Sequence, residues 1–307
     1  MNKVIKENIT GYFFILPFMI VFVVFLGWPV IYSFILSFKE ATIHSDWYNV
    51  FEDMKNVGFD NYSTILKDKE FWWSIISTFI YAFLTIPTGI IAALLLALVL
   101  NNKLKGTSFF RSAFFLPNVL DLLVIGTIWT LIFAPKYGLL DFMMQKIEIY
   151  YFSENAILNN PWTILPAIAV AMVLKGMGFG MILFLTSIQN ISESIYEAAD
   201  IDGANWAQKT IHITIPLVKP IILFMVITGV IGSLNAFTEI YAMTNDTGGP
   251  AISVMGESVK VAKLSGYHLF RTFKSGFYGK AAAISYILLI IAAIISIINA
   301  KFIKVEK

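Results

Sequence analysis

Asp121, Lys175 and Glu239 each fall inside a long apolar stretch of this 307-residue chain. At the centre of a bilayer each would cost at least about 2.5–3.5 kcal/mol if it faced lipid. They are therefore expected to face a cavity, a neighbouring helix or one another, and Asp121, which follows Pro117, marks a place where the helix can be irregular. Thr228, Gly232 and Asn235 stand at spacings of four and three, which places them on one face of a helix. A hydroxyl, cleared space and an amide on one stripe can exchange hydrogen bonds with a hydroxyl-bearing solute. The same residue types also glue membrane helices together, and the spacing admits both readings. Covalent chemistry has no candidate residues. Cysteine is absent, and His44, His212 and His268 fall in separate loops, too far apart in the expected topology for one acid/base or metal site. No G-x-x-x-x-G-K-[ST] occurs; the nearest fragment, Gly279-Lys280-Ala281, lacks the first loop glycine and the hydroxyl that a phosphate-binding loop needs.

A second cluster has a different character. Residues 197–216 read EAADIDGANWAQKTIHITIP, a polar stretch between two apolar ones. Ser194 and Glu197 fit a capping box that would start a short helix. Ala198, Ala199 and Ile201 would continue it, and Gly203 would end it in the left-handed conformation. Pro216 would open the next apolar segment, where its missing N–H costs least. Small side chains on such a helix let another surface approach closely. An ordinary capped interfacial helix fits the local pattern equally well.

The elements that must position these groups follow from composition. Hydrophobic residues make up 58% of the chain and charged ones 14%, and mean hydropathy is +0.75. A soluble chain would be about 45–50% apolar and 25% charged, so this is an all-α polytopic membrane protein. Six stretches reach the roughly 20 residues that span a bilayer: about 12–38, 74–100, 113–133, 162–188, 217–243 and 278–302. The first is too long for a signal-peptide core and is read as a retained span. Six spans put both termini on one side. Basic density is higher in the short segments 1–11, 101–112, 189–216 and 303–307, through Lys3, Lys6, Lys103, Lys105, Arg111, Lys209, Lys304 and Lys307. That density predicts cytoplasmic N- and C-termini and puts the 189–216 loop in the cytoplasm. A net charge of +2 gives no reason to expect nucleic acid.

With these residues in view, the sequence resembles the first-type permeases of the carbohydrate-uptake family of ATP-binding cassette importers, the family that includes the maltose transporter. The 197–216 segment is similar to their EAA loop. The likeness extends to the Pro-interrupted first span, Phe59-Asp60-Asn61-Tyr62, FFRSAFFLP at 109–117, Tyr137-Gly138-Leu139-Leu140, Lys175-Gly176 with Phe179, and Gly248-Gly249-Pro250. Ser192 stands where a Pro often begins the docking helix, Asn245-Asp246-Thr247 lengthens a Gly-rich turn, and a long periplasmic insertion is missing.

The resemblance implies a type I importer fold, with 1–307 as a single transmembrane permease domain of six helices in a bacterial cell membrane and 189–216 as its coupling loop. It implies that Tyr196, Glu197, Ala198, Ala199, Asp202 and Gly203 dock an ATPase. It further implies that Thr228, Gly232 and Asn235 face a sugar site opposite Gly176 and Phe179. Glu239 is counted with them as a substrate contact, although near the end of its span it could simply reach water. The implied partners are a second homologous permease, two copies of an ATPase subunit, an extracytoplasmic solute-binding protein and the lipid bilayer. ATP and Mg would sit on the ATPase, with no cofactor in this chain. The alternative is an ion-gradient-driven secondary transporter using Asp121 or Glu239 as its coupling site. Neither reading identifies which sugar is carried.

Overall fold

The computed structural model describes residues 3–45, 54–102, 105–150, 156–254 and 256–303, with side chains described from 11 to 298. Lys103, Lys304 and Lys307, used above to orient the chain, lie outside the described residues, as do the side chains of Lys3 and Lys6. The chain forms two compact units, one of residues 1–68 and 269–289 and the other of residues 69–268 and 290–307.

In the first unit, α1 (Lys3–Phe22) passes through a π-helical turn (Val23–Gly27) into α2 (Trp28–Leu36). Together they give a span, Gly11–Leu36, whose most apolar window buries nothing within the chain. Such a surface is suited to lipid or to a partner helix. α3 (Asp60–Lys67) is tied to the end of α2 by the Asn-Tyr pair. Asn61 donates from Nδ2 to the carbonyls of Ser37 (2.9 Å) and Lys39 (3.0 Å), and the Tyr62 hydroxyl donates to Ser37 Oγ at 2.7 Å. This motif is structural here.

The second unit holds the core. α4 (Lys69–Asn101) packs along α8 (Ile164–Gln189). Ala93, Leu94, Ala97 and Leu100 meet Met181, Phe184, Leu185 and Ile188. Small residues permit the close approach: a Cβ built on Gly180 would lie 2.8 Å from Ala93 Cβ. Close packing of this kind is what joins helices where lipid removes the hydrophobic drive.

Two of the six expected spans are broken. The third, expected as one helix over 113–133, consists of α5 (Thr107–Val119) and α6 (Leu122–Ile132), bent by 101°. Leu120 and Asp121 are extended (ψ 145° and 144°), and Asp121 caps α6 by accepting from the Leu123 N–H at 2.8 Å. Between α5 and α6 lies no other residue. Beyond them come α7 (Leu139–Gln145) and a 3-10 turn at Ile157–Asn159.

The fifth expected span, 217–243, begins later and ends earlier. After α9 (Glu193–Ile201), a continuous helical run from α10 (Trp206–Lys209) through a π turn (Thr210–Thr214) to α11 (Ile215–Leu217) meets α12 (Lys219–Leu234) at 64°. Pro216 therefore lies before the bend, and Pro220 occupies the first turn of the span. Residues 235–237 then break the helix before α13 (Thr238–Met243). The 244–277 loop carries an antiparallel hairpin, β1 (Ala251–Val254) with β2 (Glu257–Lys260), and then α14 (Ser265–Lys274). The last span is α15 (Tyr278–Ile303).

Candidate functional site

α4, α5, α8, α12 and α13 surround a cavity of about 460 Å³. Its wall is largely apolar, with Thr85, Asn118, Thr228, Ser233 and Glu239 supplying polar groups and Phe179 and Phe224 supplying rings. A volume and lining of this kind suit a small organic ligand. Two glycines open directly onto space: a Cβ on Gly176 or Gly232 would meet nothing within 4 Å. The neighbouring glycines are packed. A Cβ on Gly178 would lie 1.9 Å from the Phe114 carbonyl oxygen, and one on Gly229 would lie 2.9 Å from Ile86 Cγ1.

Of the six residues expected to contact substrate, Gly176, Phe179, Thr228, Gly232 and Glu239 line this cavity. Thr228 donates to the Phe224 carbonyl at 2.8 Å, which leaves its oxygen lone pairs free to accept from a solute. Asn235 is different. The helix ends at Leu234, so Asn235 is its C-cap (φ −96°, ψ 2°) and does not continue the Thr228–Gly232 stripe. Its Nδ2 turns back to the Ile231 carbonyl at 2.8 Å, and it is not among the residues lining the cavity. The break is held from outside: Ser265 Oγ donates to the Leu234 carbonyl at 2.8 Å, and Gly266 packs against the Asn235 backbone.

The three ionisable groups have distinct surroundings. Asp121 caps a helix. Lys175 donates from Nζ to the Asn118 carbonyl at 3.4 Å. It thus satisfies an acceptor in the last turn of α5, where positive charge is favoured. Re-satisfying such groups is what makes a break tolerable at membrane depth. Glu239, near the end of the expected span, is largely buried at the cavity wall. It is 8% exposed, and Tyr81 donates to its Oε1 at 3.3 Å. Tyr81 and Asn118 are site features that the sequence reading missed. The bend at 120–121 lies where Asp121 follows Pro117, the place expected to be irregular.

The second candidate site is α9 and the turn after it. The expected capping box at Ser194 and Glu197 is absent. The helix begins at Glu193 with Ser192 as an N-cap that makes no side-chain cap bond, which leaves Ser194 inside the first turn, its Oγ 2.8 Å from Ser192 Oγ. The capping box that does form opens α10, between Asn205 and Gln208. Gly203 ends α9 as expected, at φ +77°. Its N–H donates to Asp200 O (3.0 Å) and the Ala204 N–H to Ala199 O (2.9 Å), the bonding of a Schellman motif.

No residue of α9 is buried. Glu197, Ala198, Asp202 and Gly203 are exposed and Ala199 is half-buried, and Ile195 and Ile201 add exposed apolar surface. Tyr196 faces inward to the chain, its hydroxyl 2.9 Å from Thr214 Oγ1. Lys209 pairs with Asp200 at 2.7 Å. Both links join α9 to the helical run that leads into α12.

Residues 66–304 match the family of binding-protein-dependent transport system inner membrane components, and the chain belongs to it. The chain is 31% identical over 301 residues to a probable ABC transporter permease, YesP, of Bacillus subtilis, covering 95% of this chain and 90% of the relative. It is 32% identical to the lactose transport system permease LacF of Rhizobium radiobacter (95% and 93% covered) and 30% identical to the trehalose/maltose permease MalF of Thermococcus litoralis (96% and 94%). In fold it is similar to a chain of a bacterial ABC transporter that imports the acidic polysaccharide alginate, at a TM-score of 0.80 and 22% identity with 99% of each chain covered.

Proposed function

We propose that this chain is one half of the translocation path of an ATP-driven sugar or oligosaccharide importer. The observation that carries the reading is the exposed α9, ended at Gly203 and bonded through Tyr196 and Asp200 to the run that continues into the cavity-lining α12. A partner that grips α9 can pull on the wall of the cavity through these contacts. The names of the relatives supply the substrate class.

In this reading the grip comes from an ATPase subunit, in two copies, that holds ATP and Mg and contacts Glu197, Ala198, Ala199, Asp202 and Gly203. Tyr196 acts from behind, as the tether. A second homologous permease completes the cavity, and an extracytoplasmic solute-binding protein delivers the sugar to it. Both termini and α9 are cytoplasmic. The chain makes and breaks no covalent bond. Gly176, Phe179, Thr228, Gly232 and Glu239 contact the passing sugar: rings cover its apolar faces, polar groups exchange hydrogen bonds with its hydroxyls, and the open glycines leave room.

The test is uptake by the assembled transporter in proteoliposomes, with labelled lactose, maltose, trehalose and arabino-oligosaccharides as probes. Uptake of at least one should require internal ATP and persist with a proton ionophore. Ionophore-sensitive uptake without ATP would overturn the reading in favour of a secondary transporter.

A further inference from the structure

Among the residues lining the cavity, Glu239 is the only one with a carboxylate, and none carries an ammonium or guanidinium group. The other polar groups there, from Tyr81, Thr85, Asn118, Thr228 and Ser233, are neutral hydroxyls and an amide. Lys175 adjoins Gly176 in sequence, but its ammonium is engaged with the Asn118 carbonyl. It is close enough for its charge to act on Glu239 without itself lining the space. Glu239 is nearly enclosed, and the Tyr81 hydroxyl donates to it. The lining of the cavity therefore carries one carboxylate and no cationic group.

We propose that Glu239 is a charge-selecting residue, which makes this cavity accept neutral saccharides and reject anionic ones such as uronic-acid oligomers. The proposal rests on the importer reading and narrows its substrate class. It also separates this chain from the alginate importer whose fold it shares: a common backbone does not transmit the sign of the charge in the cavity. A cleft lined by one sign of charge with low-dielectric walls changes the local concentration of charged solutes by tenfold or more.

The absence of cysteine makes the cavity charge measurable without knowing the sugar. Gly232→Cys places one thiol where a Cβ meets nothing within 4 Å. Trp162→Cys, on a residue 87% exposed just before α8 and away from α9, is the reference. Both are made in the assembled transporter with cysteine-free partner subunits. Reaction rates are measured with a cationic (trimethylammonium-ethyl) and an anionic (sulfonatoethyl) methanethiosulfonate, followed by the mass of this chain. Each rate is divided by the rate of the same reagent with free 2-mercaptoethanol.

At Gly232→Cys the corrected cation-to-anion ratio should be about tenfold or more above that at Trp162→Cys. Adding Glu239→Gln should bring it near the reference, and Glu239→Asp should keep it high. Equal ratios at the two positions, a preference for the anionic reagent, an unreactive thiol at 232, or a ratio unmoved by Glu239→Gln would each overturn the proposal. Should Glu239→Gln fail to assemble, the ratio in the Glu239 background decides alone. Because no transport is read, ATP-independent uptake would overturn the importer reading and leave this result standing.

Discussion

Helix α9 makes its end with bonds three to five residues long, from Asp200 to Gly203 and from Ala199 to Ala204, and buries nothing. The cavity is assembled the other way. Its Tyr81–Glu239 contact joins residues 158 positions apart, and its wall comes from five helices, three of them flanking breaks in the chain. The first region is a local structure, tied to the run that leads into α12 through Tyr196 and Asp200. The second exists only because the core holds its helices in register. Damage should follow the same division: substitutions in the cavity wall act through packing, and substitutions on α9 act through what it touches.

The largest effect is expected inside the wall, where two glycines two residues apart have opposite surroundings. Gly178→Ala drives a methyl group into the Phe114 carbonyl, a contact of 1.9 Å with backbone that cannot swing aside. Overpacking typically costs about 1–3 kcal/mol and occasionally more, and this case belongs at the upper end. Gly176→Ala meets nothing and replaces a helical glycine, a gain of about 0.5–1 kcal/mol. Size-exclusion profiles of the detergent-extracted complex, taken after a heating series, should show Gly178→Ala lost and Gly176→Ala at least as stable as the parent. Equal behaviour of the two would mean that α5 and α8 are not as closely packed as described.

Next comes Gly232→Leu. Its side chain enters open space, so the complex should assemble and hydrolyse ATP at its basal rate while sugar uptake falls by an order of magnitude or more. Loss of assembly would instead place Gly232 in a helix–helix contact.

How much of each region was legible in the sequence follows from the same contrast. The end of α9 at Gly203 could be read directly, because a left-handed glycine is a local signal. Its start was misread by two residues: Ser194 and Glu197 have the spacing of a capping box, but the chain turns helical at Glu193. The apolar stretches were legible as spans because hydropathy sums over many residues. Hydropathy is blind to one or two extended residues, so the third span read as one apolar run and only Pro117 ahead of Asp121 hinted at the break. The end of α12 was hidden for a related reason. Asn235 fits the helical spacing perfectly well, and what stops the helix there is tertiary: Ser265 takes the Leu234 carbonyl and Gly266 occupies the space beside Asn235.

A smaller effect on stability is expected at the α9 turn. Gly203→Leu forces a side chain into the left-handed region, at a cost of about 1–2 kcal/mol, with no atom within 4 Å to clash. The strain stays local, so the assembled permease should survive. Its coupling should not: transport-stimulated ATP hydrolysis should drop severalfold, and Glu197→Lys, which adds no strain, should reproduce the loss. Normal stimulation in both variants would overturn the proposed docking of an ATPase on α9.

The smallest effect is expected at Asn235, although its residue type and spacing made it a leading candidate for sugar binding. Its Nδ2 donates to the Ile231 carbonyl within the last turn of α12, and the residue is absent from the cavity wall. Asn235→Ala therefore removes one cap bond, worth about 0.5–1.5 kcal/mol, and no substrate contact. The backbone around it remains fixed, because the Ser265 bond to Leu234 and the packing of Gly266 do not involve the amide. Uptake should change less than twofold, and thermal stability should fall slightly. Thr228→Val is the matched control, since it removes a hydroxyl that does line the cavity and should lower uptake more than Asn235→Ala does. A larger loss from Asn235→Ala than from Thr228→Val, at equal amounts of assembled complex, would return the amide to the sugar path and require the 235–237 break to rearrange during transport.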